Sequence, residues 1–258
     1  MKAKRLAEIL NYVSQKGICS YEELCDYYKM SVSTIRRDIA ELIQSGAMSK
    51  THGGVIAAQT MDGAVSYLDQ LKMSASPFMM DNKKRMIAQR ASQLVEDNDI
   101  IFLGSGTTVA CMVSCLKDRR GLFIITNNLL VLNEAQRYSL NTMVIGGNLN
   151  IDTMSIVGIQ SIKQIHTLNA NKAFLGCNGI TLSCSVTNVS EVEADIKKEA
   201  MTISDESYLL TDSLKFGKMS LHTFAGLDEF HGTITDTPPS QEFLDVFQRI
   251  NQRLMIAL

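Results

Sequence analysis

The sequence predicts an α/β protein in two parts, a small helical unit at the N-terminus and a larger unit built on a parallel sheet. Three observations carry this. Apolar residues recur at helical spacing through the first sixty positions, short apolar runs alternate with helical segments from Lys83 onward, and those runs end in small polar loops. At 258 residues the chain is long enough for one small and one larger domain. We place them at 1–57 and 81–258, with a linker at 58–80, where small, polar and methionine residues follow no clean period.

Leu6, Ile9, Leu10 and Val13 fall on one helical face and Gly17 supplies a stop. Ser20-x-x-Glu23 is a capping box that opens a second helix, with Leu24, Tyr27 and Tyr28 as its buried side. A third helix starts near Ser31, and Val32, Ile35, Ile39, Leu42 and Ile43 form its core stripe. Ser33, Thr34, Arg37, Ala40, Glu41 and Gln44 project the opposite way, while Arg36 lies on a flank about 100° from Arg37. Gly46 closes this helix, and Ala47–Ile56 reads as a β-hairpin turning at Gly53-Gly54, with Lys50 and His52 on it. Three short helices with a tight connection and a following wing make a winged helix-turn-helix, whose third helix suits a DNA major groove. Arginine there reads guanine or grips phosphate, and by projection Arg37 faces bases and Arg36 the backbone or a neighbour.

The run Ser31-Val32-Ser33-Thr34-Ile35-Arg36-Arg37-Asp38, followed by Glu41-Leu42, Gly46 and His52-Gly53-Gly54, resembles the N-terminal signature of DeoR-type transcriptional regulators. The resemblance implies double-stranded operator DNA as partner, with Ser33, Thr34, Arg36 and Arg37 in the DNA-facing helix and Lys50 and His52 in the wing. The charge balance agrees in sign: residues 1–54 carry eight Lys/Arg against six Asp/Glu, whereas the whole chain has a net charge of −2.

Beyond the linker we expect a helix at Lys84–Leu94, strands at Asp99–Leu103, Leu122–Thr126, Thr142–Ile145, Ala173–Cys177 and Tyr208–Thr211, a helix after Thr108 and another between Thr126 and Thr142. Alternation of this kind implies a parallel sheet covered on both faces, whose ligands bind beyond the carboxyl ends of the strands. The loops there are Gly104-Ser105-Gly106-Thr107-Thr108, Thr126-Asn127-Asn128, Gly146-Gly147-Asn148, Gly176-Cys177-Asn178-Gly179 and Asp212-Ser213-Leu214-Lys215. The first suits an anion such as phosphate through backbone N–H groups and the hydroxyls of Ser105, Thr107 and Thr108, with Lys215 as counter-charge. Asn127, Asn148 and Asp212 are types that hydrogen-bond sugar hydroxyls. The same residue types also serve plain turns and caps, and that reading stands beside the first. His166, His222 and His231 read as surface or packing residues.

Lys84-x-x-Ile87-Ala88, the loop at 104–108, Thr126-Asn127, Gly146-Gly147 and Asp212-x-x-Lys215-Phe216-Gly217 occur in the order seen in the effector domain of DeoR-type regulators. That domain is Rossmann-like and similar in fold to ribose-phosphate isomerases, so the resemblance implies a phosphorylated sugar or polyol at Ser105, Gly106, Thr107, Thr108, Asn127, Gly147, Asp212 and Lys215. The sequence departs from the family pattern at Gly104, where an acid is usual, and at Ser185, where glycine is common.

The six cysteines form no C-x-x-C pair and no zinc-like cluster with histidine, which leaves no disulfide framework or metal site to expect. No cofactor is implied. No 18-residue apolar run occurs, so we expect no membrane partner and a cytoplasmic protein. The reading is a DNA-binding regulator, a repressor of carbohydrate-utilisation genes, homo-oligomeric on repeated or palindromic half-sites and controlled by a phosphosugar. An alternative is a sugar-phosphate isomerase or deaminase with a DNA-binding appendage, using Asp212, Glu193 and Lys215 in acid-base roles. Another is a regulator that answers to no small molecule.

Overall fold

In a computed structural model of the chain, the described residues are 2–16, 19–45, 47–51, 54–57 and 81–257; His52, the Gly53 of the turn and the linker expected at 58–80 lie outside them. The chain divides into two compact units, residues 1–73 and 74–258.

The first unit has helices α1 (Lys2–Lys16), α2 (Tyr21–Tyr28) and α3 (Val32–Gln44) and the antiparallel pair β1 (Met48–Thr51) and β2 (Gly54–Ala57). Ser20 caps α2 by accepting from the Glu23 N–H, and Ser31 caps α3 by accepting from the Thr34 N–H. Lys29 takes a left-handed conformation (φ 52°) between α2 and α3, which makes their connection tight. Ile9, Val13, Leu24, Ile35, Ile39, Leu42, Met48 and Val55 form the core. Cys19 exchanges both backbone hydrogen bonds with Val55 and anchors the wing to the segment before α2.

Two residues expected in this core are outside it. Tyr27 is 60% exposed and Val32 46%. Tyr27 stacks against Tyr12 of α1 with ring centroids 4.2 Å apart, so it packs on the surface of the helix pair. Val32 is the first residue of α3, where the stripe has not yet met its partner helices. The place it leaves on the stripe is shared by an acid. Asp38 is fully buried beside Ile35, Ile39 and Leu42, and its two carboxylate oxygens accept from Arg5 Nε (2.7 Å) and Nη2 (3.0 Å), fixing α3 to α1.

The second unit is built on strands β3 (Ile100–Leu103), β4 (Phe123–Thr126), β5 (Asn141–Val144), β8 (Ala170–Gly176), β11 (Ser204–Leu210), β13 (Gly232–Thr235) and β14 (Leu254–Ile256). They form a seven-stranded, wholly parallel sheet in the order β14-β13-β11-β8-β3-β4-β5. Period-two alternation splits the core between the two faces: Ile101 and Leu103 of β3 point to one cluster, Phe102 to the other. The helices α4 (Asn82–Ser92) and α6 (Leu129–Arg137) cover the first face; α7 (Ile159–Ile165), α8 (Glu191–Thr202) and α9 (Gln241–Arg249) cover the second. Among the described residues no helix is long and apolar enough to cross a membrane.

The five expected strands, β3, β4, β5, β8 and β11, lie where the apolar runs put them, with ends moved by at most four residues, while β13 and β14 of the same sheet were not foreseen. The helix expected after Thr108 is short. It comprises α5, Thr107–Ala110, and gives way to a 3-10 turn at Val113–Cys115. Two small sheets were not foreseen: a hairpin of β6 (Asn148–Asn150) and β7 (Ser155–Val157), and the antiparallel set β9 (Gly179–Ile180), β10 (Ser185–Asn188) and β12 (His222–Gly226). Their strands are too brief and too polar to show a period. His166 is exposed and pairs with Glu199 at 3.1 Å, and His231 Nδ1 accepts from the Ser207 N–H.

The Arg5–Asp38 pair yields an ordering of stabilities. Removing only the arginine strands a buried carboxylate, whereas removing both charges strands none. In thermal unfolding of the full chain, Arg5→Met is expected to lower the transition of the first unit more than the double variant Arg5→Met, Asp38→Asn does.

Candidate functional site

The exposed side of α3 is the candidate DNA surface. Ser33, Arg36, Arg37, Ala40 and Glu41 are exposed and Thr34 is half-buried, as the helical projection required. The Ser33 and Thr34 hydroxyls lie 3.0 and 2.9 Å from the Ser31 hydroxyl, so they belong to the cap of the helix as well as to its face. The two arginines differ in place. The Arg36 guanidinium carbon sits 6.0 Å from the centre of the Tyr21 ring on α2, at the distance of a cation–π contact. Arg37 lies on the open side. Lys50 is in β1, paired in register with Val55.

In the second unit the switch point of the sheet lies between β3 and β8, since the chain runs outward from β3 through β4 and β5 and then returns to β8 on the other side. Beyond the carboxyl ends of these two strands is a cleft of about 580 Å³. Its wall includes Ser105, Gly106, Thr107 and Thr108 after β3, Cys177 and Asn178 after β8, and Asp212 and Lys215 after β11. Six of the eight residues expected to hold an effector therefore meet in one place.

Asn127 and Gly147 are the exceptions, and packing places both outside the cleft lining. Asn127 is fully buried outside the cleft; its Nδ2 donates to the Ile156 carbonyl (3.0 Å) and its carbonyl accepts from the Ile156 N–H (2.7 Å), which ties β7 to the end of β4. Gly147 sits against Ser161 and Val157, where an added Cβ would lie 2.2 Å from Ser161 Oγ, so it is a close-approach glycine. Asn148 also lies outside the cleft lining, with its amide beside Gly158.

The neighbouring asparagine does the work expected of Asn127 at one remove. Asn128 is buried, and its Nδ2 donates to the carbonyl oxygens of Gly104 and Gly106, each at 3.1 Å, while its Oδ1 caps α6 by accepting from the Leu130 N–H. It shapes the first loop from behind. Gly104, where the family pattern has an acid, donates its N–H to the Phe174 carbonyl, and an added Cβ would lie 2.8 Å from Leu175 Cδ2, so a side chain there requires Leu175 to move. Ser185 is in β10, away from the cleft lining.

Lys84 from α4, Asn150, Asp152 and Thr153 from the β6–β7 hairpin, Asn188, and Lys197 from α8, none of them foreseen as effector ligands, complete the wall together with Glu193, which the sequence offered only for the enzyme alternative. Lys84 is 3.6 Å from Asp81, the N-cap of α4. Lys215 has no ion-pair partner within 4 Å among the described residues. Its loop is held by Asp236, which accepts from the Ser213 N–H and hydroxyl and pairs with Lys83 at 3.1 Å. Burial would raise the Asp236 carboxyl, but the Ser213 bonds and Lys83 hold it below the usual range. Burial likewise acts to raise Glu193, yet Lys197 and hydrogen bonds from Ser155, Thr153 and Asn188 keep it below the ordinary value. Lys197 is drawn down from the usual lysine range by burial, against the pull of Glu193. Among the described residues no group of three or more His, Cys, Asp and Glu is arranged to hold a metal ion.

Two family descriptions match the two units. The DeoR-like helix-turn-helix domain matches residues 5–61, and the DeoR C terminal sensor domain matches residues 80–237. The HTH-type transcriptional regulator IolR of Bacillus subtilis is 34% identical over 249 residues, covering 94% of each chain. The lactose phosphotransferase system repressor of Staphylococcus epidermidis is 33% identical over 238 residues, covering 91% of this chain and 92% of the other. Among solved structures, a ribose 5-phosphate isomerase from Plasmodium falciparum is similar over 53% of each chain, with 16% identity and a TM-score of 0.40.

Asn128→Ala would leave the buried Gly104 carbonyl without its donor, at a cost of about 1–3 kcal/mol, whereas the Gly106 carbonyl keeps its bond from the Ala110 N–H. We expect denaturant unfolding of the second unit to shift by about 1–3 kcal/mol, and phosphate to protect the variant against heat less than it protects the wild type.

Proposed function

Because the chain belongs to the DeoR family of transcriptional regulators, we propose that it is a repressor of carbohydrate-utilisation genes whose grip on operator DNA changes when a phosphorylated sugar or polyol fills the cleft. It is a regulator and not an enzyme, in keeping with relatives named as regulators and repressors over more than 90% of its length. The effector assignment is carried by one observation: the hydroxyl-rich loop Ser105–Thr108 shares its cleft with two lysines from separate elements, Lys84 and Lys215. Hydroxyls, backbone N–H groups and cations gathered around a solvent-filled space match a phosphate monoester. Asp212, which already accepts from the Leu214 N–H, offers its remaining lone pairs to a sugar hydroxyl.

On the DNA side, Arg37 is the base reader, Arg36 with its Tyr21 contact serves a phosphate, and Ser33, Thr34, Lys50 and His52 complete the contact surface. One winged unit grips few phosphates, so the working form is a homo-oligomer on repeated or palindromic half-sites. A protein acting on bacterial operators works in the cytoplasm. Control requires that the effector bind the DNA-competent and incompetent arrangements unequally, since equal affinity shifts no equilibrium.

Arg37→Ala is expected to lose about 1–3 kcal/mol of preference for the cognate operator over random duplex; a variant that discriminates as the wild type does, by competition binding, refutes the assignment. Thermal melting of the full chain against sugar and polyol phosphates is expected to show a ligand-dependent rise, because a ligand of the folded state alone must stabilise it. Lys215→Ala should weaken the response about tenfold in ligand concentration, and an unchanged response means that the phosphate lies elsewhere.

A further inference from the structure

One part of the cleft is not used by the phosphate reading. Glu193, Ile196, Lys197 and Ala200 share the buried face of α8 at positions i, i+3, i+4 and i+7, and the two charged members line the cleft. Lys197 is 4% exposed. Its ammonium donates to Asn188 Oδ1 at 2.7 Å and stands 5.4 Å from the centre of the Phe224 ring, with no carboxylate within 4 Å among the described residues. An ammonium carries three donors, so two have no acceptor among the described residues. A charge buried in that state is costly unless something in the cleft completes its bonds.

The surroundings say what completes them. The Asn188 amide bridges the two charged side chains, since its Nδ2 donates to Glu193 Oε2 (3.3 Å) while its Oδ1 accepts from Lys197. Glu193 Oε1 accepts from Ser155 Oγ at 2.7 Å. These bonds orient the carboxylate and keep it ionised, so lysine and glutamate together make a locally neutral donor–acceptor pair. A second phosphate at this place would meet the Glu193 charge and is disfavoured, whereas neighbouring uncharged oxygens are not.

We infer that Asn188, Glu193 and Lys197 form a second reading site in the cleft, which recognises the carbon chain of the effector through its uncharged oxygens. Lys197 donates to a carbonyl or hydroxyl oxygen and Glu193 accepts from an adjacent hydroxyl. The site separates a phosphorylated sugar or polyol from phosphate itself. It rests on the phosphate reading, because it assigns the other end of the same ligand.

The test is calorimetric titration of the full chain with inorganic phosphate, glycerol 3-phosphate, fructose 6-phosphate and glucitol 6-phosphate. The wild type should bind at least one organic phosphate about tenfold or more tightly than inorganic phosphate. K197M, which keeps an apolar stem against Phe224 but donates nothing, should bind inorganic phosphate as the wild type does and lose that increment. If K197M keeps the increment, the second site is wrong while the phosphate site stands. A wild type that binds all four alike also overturns the second site, and one that binds none of them overturns both. Should melting show that K197M does not fold, K197Q, a shorter neutral donor, is compared in the same way, with loss of most of the increment expected and its retention counting against the site.

Discussion

The second unit depends on how one buried asparagine holds a loop. A strand that ends at a switch point delivers its last carbonyls and the next turn into open space, and something must decide which way they face. Asn128 takes the carbonyls of Gly104 and Gly106, and Thr126 donates its hydroxyl to the Leu103 carbonyl at 2.6 Å while accepting from the Asn128 N–H. The Gly106 carbonyl also accepts from the Ala110 N–H of α5, so the loop is fixed both to the asparagine behind it and to the helix it opens. Ser105, Thr107 and Thr108 line the cleft from this fixed loop. The Thr-Asn-Asn run after β4 is thus the support of the first loop.

Both units bury charge on the inner stripe of a helix, with opposite outcomes. Asp38 on α3 is met by a two-point bond from Arg5, which closes the account of its oxygens and locks the helix that carries Arg37 against α1. On α8 each Glu193 oxygen is met, by Ser155 and by Asn188, whereas Lys197 is met only in part. Their shared partner Asn188 satisfies one donor of the ammonium and leaves two. Buried ionic groups stabilise poorly when incompletely paired. A complete pair is therefore the mark of a scaffold position, and an incomplete one that opens on a cleft is the mark of a ligand position.

This contrast also explains what could be read from the chain alone. The stripe of Ile9 and Val13, the apolar runs Ile100–Leu103 and Phe123–Thr126 and the polar loops beyond them follow from periodicity, and the structure keeps them. Asp38, Glu193 and Lys197 carry a signal that periodicity also contains: each sits where an apolar residue belongs, at i+3 or i+4 from buried neighbours. A charge in that slot is either buried with a partner or exposed by a break in the helix. Its partner was not legible, because Arg5 lies 33 residues from Asp38 and only packing brings them together. Asn127 and Asn128 show the opposite limit. Adjacent and identical, they share one environment in sequence and face two different ones in space, Ile156 for the first and the loop at Gly104 for the second.

The helix α4 gives the effector reading a physical route outward. It is the first described element after residues 58–80, and adjacent lysines on it have different partners: Lys84 lines the cleft and pairs with the Asp81 cap, whereas Lys83 pairs with Asp236, which holds Ser213 of the loop carrying Lys215. A phosphate drawn to Lys84 competes with Asp81 for the same ammonium. Asp81 in turn accepts from the Lys83 and Lys84 N–H groups, so the competition acts on the first turn of the helix and not on the middle of the sheet. The ladder from β3 to β8 lies in the middle of the sheet, whereas the first turn of α4 is held from its own cap and through Lys83 and Asp236 from the loop of Lys215. A ligand shifts the balance between two positions of that helix end only if it binds them unequally.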